Sequence, residues 1–144
     1  MKNLILTSKD FNEKNEYVGK EDLSNFNGSI VSNDGVELMV FDSLKVRGDC
    51  IGASIVVINH IEVGGDLRAS RLNAGGCIRS GGCMYSLGEI VSGGFISAVD
   101  SMFSGSCITA KRFIESKKGA INAVKGVKSG GVVEALKGVV IGEF

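Results

Sequence analysis

The sequence contains no proline and no tryptophan, one histidine at His60, and threonine only at Thr7 and Thr109. Each scarcity removes a class of function. One histidine cannot supply the imidazoles of a zinc centre, and Cys77 and Cys83 lack the spacing of a zinc-binding cysteine pair. No apolar run approaches the length that spans a bilayer, and Leu4-Ile5-Leu6, followed at once by Ser8-Lys9-Asp10, is too short for an export signal. The chain is therefore expected to be cytoplasmic, with no membrane contact, and Cys50, Cys77, Cys83 and Cys107 are expected as reduced thiols. Neither GxGxxG nor GxxxxGK[ST] occurs, so no phosphate-binding loop and no cofactor are expected.

The 144 residues suffice for one domain with its own core. Sixteen bases balance sixteen acids, but unevenly along the chain. Residues 1–43 carry four Lys against eight Asp or Glu, net −4, and residues 44–144 carry twelve Lys or Arg against eight acids, net +4. A body charge this small does not point to nucleic acid, whose affinity rests on many phosphate contacts.

What the chain has in abundance is glycine, 21 residues, and a repeat. From Leu72 an aliphatic residue returns every six positions at Ile78, Met84, Ile90, Ile96, Met102, Ile108 and Ile114. Two positions after each stands a small residue: Ala74, Ser80, Ser86, Ser92, Ala98, Ser104, Ala110 and Ser116. One extra residue near 118–120, read as a corner bulge, precedes a resumption at Ile121, Val127, Val133 and Val139. A period of two inside each unit is strand geometry, and the glycines permit a turn after each strand; a helix would need a period near 3.6. The pattern predicts an all-β, triangular single-stranded solenoid of five or six coils, in which side chains about eighteen residues apart stack. A looser upstream rhythm in Ile51-Gly52-Ala53, Ile55-Val56-Val57, Ile61-Glu62-Val63 and Leu67-Arg68-Ala69 starts the solenoid near Leu44, leaving residues 1–43 as a capping segment.

Outward positions differ between the three faces. The first carries Asn73, Val91, Thr109 and Lys128, and the second Arg79, Ser97, Glu115 and Glu134; both are ordinary. The third carries Tyr85, Phe103, Asn122 and Val140, with Leu87 and Val124 beside them, a stripe suited either to binding another protein or to being covered by the head. At the end of the repeat Val139, Ile141 and Phe144 have no further coil to cover them, which predicts a homodimer, tail to tail, or a higher assembly. His60, among apolar residues, is expected to be structural, as are the corner cysteines. Lys111, Arg112, Lys117 and Lys118 form a basic corner, expected to be a solvated rim.

Known catalytic and ligand-binding uses of such folds do not fit. Hexapeptide acyltransferases place the small residue before the aliphatic one and use a catalytic histidine with an inserted loop, solenoid hydratases need three histidines, and calcium-binding repeats need an Asp in every unit. Ice-binding solenoids need threonine ladders, and polysaccharide lyases need longer coils with acidic clusters. Val63-Gly64-Gly65-Asp66-Leu67-Arg68-Ala69 and Ile78-Arg79-Ser80-Gly81-Gly82 resemble the rhythm of bactofilin-type polymer-forming proteins, over about residues 44–144. That resemblance implies a right-handed triangular solenoid that assembles end to end without nucleotide; the chain differs in lacking proline-rich tails and in its acidic head. The residues together predict a non-enzymatic protein-binding solenoid, such as a small inhibitor, immunity-type or adaptor protein, with a bactofilin-like structural polymer as the alternative.

Overall fold

The computed structural model describes residues 2–14, 16–32 and 36–142; Phe144, named above at the end of the repeat, lies outside the described residues. The alternation in the sequence becomes strands of three residues, as in Leu67–Ala69, Ile78–Ser80 and Met84–Ser86, each with its first and third side chains buried and its middle one exposed. A corner then turns the chain onto the next face. At Gly93 the corner passes so close to the coil below that a Cβ would run into the carbonyl oxygen of Gly75.

Strands of successive coils pair in parallel and in register, Ile78 on Ile96, Met84 on Met102 and Ile90 on Ile108. Three parallel sheets of eight, six and six strands thus enclose one core, an all-β solenoid of about six coils. Ile78, Met84, Ile90, Ile96, Met102, Ile108, Ile114 and Ile121 are all 0% exposed along its axis. The small inward residue has a second task that its size alone did not reveal. Ser92 Oγ lies within donating reach of the carbonyls of Gly76 (2.7 Å) and Phe95 (3.0 Å), and Ser104 Oγ of those of Gly88 (2.7 Å) and Cys107 (3.2 Å), the one hydroxyl proton being shared between the two acceptors. Turning a corner aims carbonyls into the tube, and the serine hydroxyl adds a second donor to acceptors that also take a backbone N–H, Gly76 from Gly94 and Phe95 from Ile78.

The upstream coils are one residue shorter than the regular ones. Leu38, Ile55 and Leu72 stack at intervals of seventeen, whereas Leu72, Ile90 and Ile108 stack at eighteen and Ile108 meets Val127 at nineteen. The missing residue comes from the step between the third face and the first, five residues from Cys50 to Ile55 and from Leu67 to Leu72. It corrects one rung: Cys50, not Ile51, points inward, stacking on Leu67 at 0% exposure, while Ile51 is 43% exposed. The extra residue after Ile114 sits in the corner that follows Ile114–Ser116, where Gly119 N–H donates to Ser116 Oγ at 3.2 Å.

The first 43 residues join the same sheets. Lys2–Leu6 pairs with Gly28–Ser32, which pairs with Cys50–Ile51 on the third face. Glu37–Val40 pairs with Ser54–Val57 on the first, and Phe26 bridges to Val46 on the second. Residue 44 therefore marks a change of regularity rather than of architecture. Leu6, Leu23 and Phe26 are buried and close this end of the core, with Leu23 held in a short turn whose Asp22 carboxylate accepts from the Ser24 hydroxyl (2.6 Å) and N–H (3.0 Å). Those two bonds hold the Asp22 carboxyl below the usual carboxylate range. No helix among the described residues is long and apolar enough to cross a membrane.

Candidate protein-binding surfaces

The third face places its aromatics as the register requires. Tyr85 lies beside Phe103 in adjacent strands, their rings stacked at 5.0 Å between centroids and 12° between planes. Leu87, 63% exposed, and half-buried Val124 occupy the corner beside them. Asn122 separates this patch from Val140, with which it pairs. The stripe is thus two patches. The head does not cover it: its strands extend the far end of the sheets, and Tyr85 keeps 38% of its surface exposed.

The second patch is the final coil. Val139 occupies the inward position that Met102 and Ile121 fill at 0% exposure, and Ile141 the one that Ser104 and Ala123 fill at 0%, yet they are 40% and 57% exposed. Val132, Leu136 and Val140 surround them, also exposed. The strands Gly126–Ser129, Val133–Ala135 and Val139–Ile141 are the terminal strands of their sheets among the described residues. Exposed apolar rungs thus lie beside terminal strands, the kind of edge to which a further strand can add.

The second face, read from the sequence as ordinary, holds a groove of about 580 Å³. Phe95 and Phe113, one coil apart at the position before the inward aliphatic residue, stack at 4.7 Å and 4° and wall one side. The Arg79 guanidinium lies 4.8 Å over the Phe95 ring, and nearly buried Ser97 forms the floor, its hydroxyl donating to Glu115 Oε1 at 2.9 Å. The signal was legible: two phenylalanines eighteen apart at one rung position must stack in this fold.

Other residues singled out from the sequence are structural in their contacts. His60 Nδ1 accepts the Cys77 N–H at 2.9 Å, tying one corner to the next. Asp49 and Asp66 do the same on the third face, accepting from the N–H groups of Asp66 and Cys83 at 2.8 Å. All four cysteines are free, and burial pushes the Cys50 thiol up to about 12. Among the described residues no group of three His, Cys, Asp or Glu is arranged to hold a metal ion.

Fold and surfaces together define the class: a triangular β-solenoid with parallel, in-register coils, one closed end and one coil whose apolar rungs are exposed. No protein-family profile, curated protein or solved structure matches the chain.

Proposed function

We propose that this chain works by stoichiometric binding to protein rather than by catalysis. The observation that carries the reading is the exposure of Val139 and Ile141 at positions that Met102, Ser104, Ile121 and Ala123 fill at 0% exposure, on the terminal described strands of the sheets. Water cannot satisfy an apolar rung, whereas another chain's strand satisfies both the rung and the edge. The stacked Tyr85 and Phe103 with Leu87 supply a second contact patch on the flank, of the aromatic and aliphatic make-up favoured at interface centres. Inhibition, immunity or adaptor function by such contact needs no catalytic group.

The second reading is end-to-end assembly of the kind found in bactofilin-type proteins, and the same open coil favours it. One experiment separates the two. Sedimentation at tens of micromolar, with and without Val139→Lys plus Ile141→Lys, reads self-association through the coil. A wild-type chain that associates while the variant, with an unchanged circular dichroism spectrum, stays monomeric supports self-assembly. If both remain monomeric, copurification from the native cell with Tyr85→Ser plus Phe103→Ser as the control reads binding to another protein. A wild-type chain that neither self-associates nor retains a partner lost by either variant ends the proposal.

A further inference from the structure

Charge is graded along the rod. Residues 1–43 are net −4; residues 44–110 balance five bases (Lys45, Arg47, Arg68, Arg71, Arg79) against five acids (Asp49, Glu62, Asp66, Glu89, Asp100). Residues 111–144 carry Lys111, Arg112, Lys117, Lys118, Lys125, Lys128 and Lys137 against Glu115, Glu134 and Glu143, net +4. Because coils stack in chain order, this gradient in sequence is a gradient in space: an acidic end, a neutral middle and a basic end.

Each end also pairs its charge with apolar surface. At the acidic end a recess of about 380 Å³ opens at the corner between Glu37–Val40 and Leu44–Val46, the end strands of two sheets. Its apolar wall includes Leu23 and Phe41, the latter 55% exposed, and Glu16, Glu21, Asp22 and Asp42 line it, with no basic residue among the described lining. At the basic end Leu136, 73% exposed, projects beside Lys137 from the corner between Val133–Ala135 and Val139–Ile141, again end strands, and Lys125 and Lys128 are exposed in the same coil.

We propose that copies of this chain join head to tail, the basic open coil of one molecule seating on the acidic end of the next. This rests on the self-association reading above and fixes its partner and polarity. Tail-to-tail pairing, the arrangement expected from the repeat alone, would set two basic ends against each other, whereas head-to-tail pairing opposes unlike charges and meets an apolar projection with an apolar recess. Such a contact is heterologous: every added molecule presents a fresh open coil, so growth does not stop at two.

Salt reads the polarity by sign. Raising it from about 0.1 M to about 1 M shortens the Debye length from about 10 Å to about 3 Å. Head-to-tail association, followed by sedimentation across a concentration series, is expected to weaken about tenfold as opposite charges are screened. Its mean mass should keep rising with concentration. Lys125→Glu, Lys128→Glu and Lys137→Glu together, and Glu16→Lys plus Asp42→Lys in a second chain, should each abolish association alone, while their equal mixture restores open-ended growth. A species that stops at the dimer and tightens with salt overturns the head-to-tail arrangement and leaves self-association standing. A monomer at every salt and concentration overturns both.

Discussion

Replacing Ile96 by alanine tests whether the core is a stack of nearest-neighbour layers. Ile96 is 0% exposed and lies between Ile78 and Ile114 in register, so its side chain is enclosed by the coils above and below. The substitution removes three carbon groups worth about 0.8 kcal/mol each, and the enclosed site adds a cavity term, for a loss of about 3 to 4 kcal/mol. Val139→Ala removes two such groups from a residue already 40% exposed, with a coil on one side only, so its cost is about 1 kcal/mol and leaves no cavity. Urea unfolding of both variants at a dilution where the chain is monomeric, with circular dichroism as the probe, gives the two values directly. Equal losses would refute the layered account, because in that account the cost depends on how many coils enclose a residue.

The inward hydroxyls make a paired test: Ser92→Ala removes the hydroxyl bond to the Gly76 and Phe95 carbonyls, which keep the N–H groups of Gly94 and Ile78, and should cost about 0.5 to 1.5 kcal/mol in the same assay. Ser54→Ala should be neutral or stabilising by a few tenths of a kcal/mol, because Ser54 Oγ is buried with no hydrogen-bond partner. Cys50 should resist iodoacetamide in the native state while Cys77, Cys83 and Cys107, all partly exposed, react first; mass mapping of the alkylated chain checks the order. Above pH 9 the unfolded chain loses the Cys50 proton and the folded one keeps it until about 12, so stability should fall by up to about 1.4 kcal/mol per pH unit in that window. Cys50→Ala should remove that slope, read as the difference between the two pH profiles.

The regular coils were legible because one periodicity controlled everything about them. Once Leu72, Ile90 and Ile108 are assigned to one interior column, the pairing of Tyr85 with Phe103 follows without further information. Where the step changed, the reading slipped: a five-residue step moved the inward position to Cys50, and an aliphatic Ile51 next door drew the assignment outward by one. The serine column was read by size alone, since hydrogen bonding to corner carbonyls leaves no periodic mark beyond smallness. The first 43 residues were placed as a cap because their connections are long and irregular, and pairing between Leu4 and Ile30 is invisible to any short period. Phe95 and Phe113 were missed for a different reason: attention to the residue after each aliphatic position passed over the residue before it.

The parallel columns also decide how the rod yields to force. Lys2 and Gly142 belong to opposite ends, and the bonds joining one coil to the next run along the axis between them. Pulling on the two ends loads the terminal coils first, since each has a neighbour on one side only, and their short strands part like a seam rather than shearing as a block. Each coil of about eighteen residues then pays out about 60 Å of chain before the next takes up the load. A stretched molecule should lengthen in near-equal steps, a mechanical record of the spacing that runs through its sequence.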